Sequence, residues 1–256
     1  MVVGEDGRAA AVIADRDDGD GELGELWWAH TGGGGGNFGV ITRYWMRGLP
    51  RPPKNVWLSG AQFGWSALGE REFKRLVENF GLFFARHGKP GDRYADLFAI
   101  LQLPHISRKE LGLVVQLDAT RSDSELRLEE FYIAVLAGID ADIAHFTMQM
   151  GEHAPIQPLT RQGRVMPWIQ ATQTLNSSGE NRRGKYKSAY HRTAFTPQHI
   201  DAFYRHLSDT GYDNKEALLQ IDSYGCEINK HGIDTAVAQR DSVLKLQYGV
   251  SVTTVS

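Results

Sequence analysis

The stretch Glu25-Leu26-Trp27-Trp28-Ala29-His30-Thr31-Gly32-Gly33-Gly34-Gly35-Gly36-Asn37-Phe38-Gly39-Val40-Ile41-Thr42 decides how the chain is read. A bare run of five glycines reads as a flexible linker, but this one stands between Trp27-Trp28 and Phe38. Fixing each glycine costs about 1–2 kcal/mol of backbone entropy. Close approach of backbone to a ligand is the usual reason for accepting that cost. Gly34-x-Gly36-x-x-Gly39 formally matches the dinucleotide fingerprint, which needs a strand before it and a helix after it. Here the order is reversed. Leu23, Leu26 and Trp27 precede at helical spacing, and Val40 to Trp45 is β-branched, aromatic and strand-like. No Gly-Lys-Ser/Thr follows, which excludes a nucleotide P-loop. A helix, a glycine loop and a strand remain, with bare amides facing a phosphate or a flat ring.

Upstream, Met1 to Val3, a turn at Glu5-Asp6-Gly7 and Ala9 to Ala14 predict a β-hairpin. An isolated hairpin is marginal in water, so it must pack on a sheet supplied from elsewhere. Downstream, Pro50-Arg51-Pro52-Pro53 reads as a linker, dividing the chain into 1–50 and 51–256. Beyond it, Val56 to Trp65, Leu97 to Leu103, Leu111 to Leu117, Ala144 to Met150, Leu218 to Tyr224 and Leu244 to Val250 read as strands. Phe73, Leu76, Val77, Phe80, Phe83 and Phe84 make one apolar helical stripe, with Glu72, Lys74, Arg75 and Glu78 opposite. Ser122 with Glu125 predicts a capping box for a helix through Leu136. Thr196-Pro197 predicts a helix to about Leu207 with proline at its first position. The sum is an α+β fold, an antiparallel sheet covered by helices on one face.

Composition narrows the function. The 256 residues carry Lys+Arg 28 against Asp+Glu 31, a net charge of −3. Hydrophobic residues at 41% and charged residues at 23% exclude a disordered chain. A single cysteine, Cys226, excludes an intrachain disulfide framework and any multi-cysteine metal site. The nine histidines include no His-Glu-x-x-His pattern. No stretch approaches the roughly 18 consecutive apolar residues of a membrane span. No Gly-x-Ser-x-Gly elbow supports a serine hydrolase.

The run from Glu25 to Thr42 resembles the segment that closes the FAD-binding domain of berberine-bridge-enzyme-like oxidases, flavoproteins of the vanillyl-alcohol-oxidase (PCMH) type. Asn181-Arg182-Arg183-Gly184-Lys185-Tyr186-Lys187-Ser188-Ala189-Tyr190 is similar to the Lys-Ser motif of that family's substrate domain. Leu219-Gln220-Ile221-Asp222-Ser223-Tyr224-Gly225, with Leu246-Gln247-Tyr248, is similar to its strand pair that roofs the flavin. The resemblance runs from about Val2 to Tyr248. It implies that 1–50 is the C-terminal part of an FAD-binding domain and that 51–256 is an incomplete substrate domain. It further implies an oxidase that moves hydride from a hydroxyl-bearing carbon of a sugar-like or secondary-metabolite substrate to FAD, reoxidised by O2. The family's flavin-tethering histidine and cysteine, and its later tyrosine base, have no counterpart here. A non-catalytic fragment that binds a ligand or partner is the alternative.

The candidate residues follow. Gly33, Gly34, Gly35, Gly36, Asn37, Phe38, Gly39 and Val40 would lie against FAD. Asp222 and Tyr224, two apart in a predicted strand, project from one face. Ionising a phenol at pH 7 costs about 4 kcal/mol, which a nearby cation or hydrogen-bond network lowers; a carboxylate can pass the proton on. A buried Tyr beside a surface Asp is the plainer structural reading. The family resemblance implies a catalytic pair facing substrate. Lys230 stands where plant members carry a catalytic glutamate. The basic run Arg182 to Arg192 interleaves Tyr186 and Tyr190, a pattern that nucleic-acid binders use. In an acidic chain it reads instead as a solvated strand edge, or as Lys187 and Tyr190 lining a substrate cleft. Expected partners are a small-molecule substrate and O2, with no nucleic acid and no membrane.

Overall fold

The computed structural model describes residues 2–3, 6–149, 155, 157–175, 183–232 and 234–252. Met1, Glu5, Met150, Asn181 and Arg182 of the expected hairpin, strand and basic run lie outside them. The chain divides into two compact units, Met1–Arg51 with Glu227–Asp241, and Pro52–Cys226 with Ser242–Ser256.

In the first unit, β1 (Val2–Val3) pairs antiparallel with β2 (Ala9–Ala10) as a sheet of two strands by itself. Helix α1 (Glu22–His30) follows and is capped at Thr31. The Arg16 guanidinium reaches Asp234 at 3.0 Å, and the Ala236 N–H donates to the Thr31 carbonyl at 3.1 Å. Residues 227–241 are thereby tied to the opening of the chain. The strand predicted at Val40 to Trp45 does not form, and residues 39–47 are irregular. Tyr44, Trp45 and Met46 are exposed there. β-branched and aromatic composition describes a residue that suits a half-buried pleat, and no described strand offers Val40 to Trp45 one.

The second unit is built on β3 (Asn55–Gly64), α2 (Glu70–His87), β4 (Phe98–Pro104), β5 (Glu110–Asp118), α3 (Ser124–Val135), β6 (Arg164–Pro167), α4 (Trp168–Leu175), β7 (Arg183–His191), α5 (Pro197–Leu207), β8 (Leu218–Ser223) and β9 (Leu244–Val252). Seven strands pair antiparallel in the order β6-β3-β5-β4-β8-β9-β7. The alternation of each strand sorts its side chains to two faces. Ala99, Leu101, Leu103, Leu111, Leu113, Leu219, Ile221, Leu244 and Leu246 point to one face and meet α2, α3 and α5. The stripe from Phe73 to Phe84 is wholly buried there, each phenylalanine contributing roughly 1.5–3 kcal/mol. The α+β fold with an antiparallel sheet stands as expected, with α2, α3 and α5 on one face; α4 departs from the expectation, packing Ala171 and Leu175 on the other face against Val56, Leu58 and Ile100.

Two local expectations fail for identifiable reasons. Helix α3 is capped by Asp123 rather than Ser122, with no side-chain cap bond. The Asp123 carboxylate is taken by Arg121 and Arg127, and the Ser124 hydroxyl donates back to the carbonyls of Asp118 and Arg121. Among the described residues, the stretch from Ala144 to Gln149 makes isolated bridges, Gln62 with Ala144 and Phe146 with Leu159, in place of the expected strand. Phe146 crosses the second face of the sheet and packs on Gly60 and Gly112, with Val114, Ile100, Met148 and α4. A Cβ at Gly112 would stand 2.3 Å from Phe146 Cε2, so only glycine admits this ring. Thr196 caps α5 as expected, its hydroxyl accepting from the His199 N–H, with Pro197 at the first position. Among the described residues no helix is long and apolar enough to cross a membrane.

Candidate functional site

Two places collect the candidate residues, one in each unit. In the first, the C-terminus of α1 is closed by the Thr31 hydroxyl donating to the Trp27 carbonyl at 2.8 Å, and by the Gly33 N–H donating to the Ala29 carbonyl at 2.8 Å. The chain then passes through Gly32, Gly34, Gly36 and Gly39, all at positive φ between 78° and 135°. L side chains rarely adopt that region, so the loop requires glycine. Nothing lies within 4 Å of where a side chain would stand on Gly35 or Gly36. The space beside them is open, and Gly33 to Val40 are exposed.

His30 Nδ1 donates to the Leu26 carbonyl at 2.8 Å, while its Nε2 is buried and meets no partner among the described residues. The ring stands edge-on to Phe38 at 5.7 Å. A cavity of about 590 Å³ opens beside the loop, lined by Glu22, Glu25, Leu26, Trp28, Ala29 and Phe38. Its aromatic walls, Trp28 and Phe38, suit a flat ring. Its two carboxylates repel phosphate.

In the second unit the site is the sheet face opposite α2, α3 and α5. Cross-strand register places Ile100, Asp222, Lys245 and Tyr190 in one row across β4, β8, β9 and β7. Gln102, Gln220, Gln247 and Ser188 form the next row. Directly opposed residues on paired strands point to the same side, so this face is polar across β8, β9 and β7, while at β3, β5 and Ile100 of β4 it is apolar under Phe146 and α4. Asp222 is 7% exposed. Gln220 Nε2 donates to its Oδ1 at 2.7 Å, and Lys245 Nζ stands 3.4 Å from its Oδ2. Burial pushes the Asp222 carboxyl above its usual range, outweighing the Gln220 bond and the Lys245 charge.

Tyr224 lies one residue past β8, held by its N–H donating to the Val243 carbonyl at 2.9 Å. Gly225 at φ 103° and Cys226 at φ 51° then turn the chain away. The Tyr224 ring meets that of Tyr190 edge-on, with centroids 5.2 Å apart. The structure thus brings Asp222, Tyr224 and Tyr190 to one face. It does not bring Lys187 there. Lys187 opposes Tyr248 on β9, and Tyr190 opposes Lys245; three residues apart on a strand, Lys187 and Tyr190 point to opposite faces. Lys187 is therefore removed from the candidate substrate residues.

Lys245, Gln220, Gln247 and Gln102 were not singled out from the sequence. The available signal was polar alternation in Leu244-Lys245-Leu246-Gln247 and Leu219-Gln220-Ile221-Asp222. No group of three or more His, Cys, Asp or Glu residues among the described ones is arranged to hold a metal.

No protein-family model matches the chain. Hexose oxidase of Chondrus crispus is 32% identical over 259 residues, covering 90% of this chain and 45% of that protein. Aclacinomycin-N/aclacinomycin-A oxidase of Streptomyces galilaeus is 34% identical over 259 residues, covering 96% of this chain and 44% of that protein. Among solved structures, a flavoenzyme of the shunt product recycling mechanism in caerulomycin biosynthesis superposes with a TM-score of 0.86 at 32% identity. That match covers 99% of this chain and 51% of the flavoenzyme. Berberine bridge enzyme, at 15% identity and a TM-score of 0.60, shares the fold. The chain spans about half the length of the relatives it matches. The resemblance read between Val2 and Tyr248 stands: the chain is a homologue of these oxidases and flavoenzymes.

Proposed function

We propose that this homologue of hexose oxidase and aclacinomycin oxidase supplies the substrate-binding part, and one flavin-contacting loop, of an FAD-dependent oxidase. Its substrate would be a hydroxyl-bearing carbon of a sugar-like or secondary-metabolite compound. The observation that carries the reading is the gathering of Asp222, Lys245, Tyr190 and Tyr224 on one polar sheet face, in a chain related to oxidases.

FAD, when bound, would take up the hydride and hand the electron pair to O2 as peroxide. The loop from Gly33 to Val40 would hold the ring end of that cofactor, since the open space beside Gly35 and Gly36 admits a flat group. The diphosphate does not suit the neighbouring cavity, whose Glu22 and Glu25 are anionic. Tyr224 would accept the hydroxyl proton of the substrate while the hydride leaves carbon. Asp222, poised above the usual carboxylate range, would assist by taking that proton onward. Lys245 sets the charge balance beside Asp222, and the Tyr190 ring fixes the plane of Tyr224.

The test is flavin uptake. The purified chain incubated with FAD and desalted should keep a flavin spectrum that shifts on D-glucose addition without oxygen. Colourless protein after desalting overturns the reading for this chain. A second reading, a non-catalytic module that binds a partner, is favoured by the exposed Tyr44, Trp45, Met46 and Leu49, each 61% or more accessible. Self-association of flavin-free protein in size-exclusion chromatography would support it over the first.

A further inference from the structure

Glu227–Asp241 belongs to the first unit, although it leaves the chain between β8 and β9. Its stem is closed where the Tyr224 N–H donates to the Val243 carbonyl at 2.9 Å. Compact loops with closed ends are frequently functional. Inside this one, the Arg240 guanidinium donates to the Ile228 carbonyl at 3.1 Å and to the Thr235 hydroxyl oxygen. A planar fork of fixed donors sets the spacing of the two acceptors, so Arg240 ties the start of the loop to its tip. The tip lies on the first residues of the glycine run. The Ala236 N–H donates to the Thr31 carbonyl at 3.1 Å, and Asp234 receives Arg16 at 3.0 Å. A Cβ at Gly32 would stand 2.4 Å from Val237 Cγ2 and 2.7 Å from the Val237 nitrogen. Next along the chain, the Gly33 N–H donates to the Ala29 carbonyl, closing α1. The glycine run is thus gripped at Thr31 and Gly32 and open at Gly35 and Gly36.

We propose that residues 227–241 are a strap that holds the glycine loop in its ligand-receiving conformation, with Val237 and Arg240 as positioning residues. Val237 seats on Gly32, and Arg240 keeps the tip of the strap in shape. The proposal rests on the oxidase reading for what the loop receives, FAD, and deepens it by naming what orders the loop. Successive glycines lose more conformational freedom on ordering than any other residues, so such a loop needs an external hold. The strap acts through population alone. A ligand that needs one loop conformation binds with an apparent affinity reduced by the fraction of chains in that conformation.

The test follows backbone amide hydrogen exchange by NMR in the purified chain. Val237→Ala and Arg240→Met should speed exchange at Gly33 about tenfold and leave the amides of β4 and β8 at wild-type rates. Arg240→Lys, which keeps a cation of similar reach, should restore part of the protection. FAD titrated into the same samples should bind about tenfold more weakly to both variants, in step with the exchange. A merely structural role would speed exchange in β4 and β8 as much as at Gly33. That outcome, or wild-type exchange at Gly33 in the folded variants, overturns the inference; Val237→Ala, the milder change, decides it should Arg240→Met fail to fold. Wild type and variants that show the expected exchange but take up no FAD would sink the oxidase reading alone. FAD bound with wild-type affinity by both variants would sink this inference alone.

Discussion

Lys245 stands directly opposite Asp222 across the β8–β9 pair, its Nζ 3.4 Å from Oδ2. The pair is an ion pair set on a half-closed sheet face, and its cation does not fully offset the desolvation of its anion. Burial still raises the Asp222 carboxyl above its ordinary range. In the unfolded chain the same carboxyl titrates near about 3.9. The unfolded state therefore loses its proton first as pH rises, and native stability falls between that value and the higher folded one.

Asp222→Asn should remove this slope. Relative to wild type, its melting temperature is expected to be equal at about pH 3 and equal or higher at pH 7, where wild type holds a buried charge. Thermal unfolding followed across pH 3–7 decides the matter, and a variant that loses stability only at neutral pH would show that Lys245 outweighs desolvation. Lys245→Met should raise the Asp222 carboxyl further, seen as a shifted titration of its carboxyl carbon.

Arg127 is fully buried in α3, held by Asp96, Asp123 and the Arg93 carbonyl. It anchors the segment between α2 and β4 to α3. Arg127→Ala leaves Asp96 and Asp123 without their central cation and opens a cavity. A loss of about 3–5 kcal/mol is expected in urea denaturation; a loss under about 1 kcal/mol would mean that Arg121 and Arg93 take over the carboxylates.

Gly112→Ala would place a Cβ 2.3 Å from Phe146 Cε2 and 2.8 Å from Met148 Sδ. Overpacking of this kind costs about 1–3 kcal/mol. Combined with Phe146→Ala the alanine gains room, so the two changes should be less costly together than the sum of their separate effects. A double-mutant cycle reads the coupling, and simple additivity would contradict the packing of Phe146 on Gly112.

Strand and helix existence was written in periodicity, and the site was written only in part. The apolar stripe from Phe73 to Phe84 and the alternating runs at β3, β4, β5, β8 and β9 each had a core side that no other arrangement buries. Val40 to Trp45 looked equally strand-like, yet a strand is a property of a pair, and local composition does not supply the partner. The Ser122 cap failed because Arg127, four residues beyond Asp123, competes for the same turn. That Asp222 and Tyr224 share a face was legible in their spacing, whereas the role expected of them came from the family resemblance. Lys187 was misplaced because the parity of β7 depends on its register with β9, which the sequence of β7 alone does not encode. The glutamine row escaped notice since four residues from four strands form no contiguous motif.

Strand β7 ends the sheet, and Lys185 and Lys187 are both exposed along it. A terminal strand invites a second copy to dock along its unpaired amides and carbonyls, the first step toward fibrils. Two such copies would bring these ammonium groups against one another and strand them between apposed ribbons. Charged side chains on an edge of this kind oppose such pairing, so the exposed lysines of β7 disfavour edge-to-edge growth of the sheet.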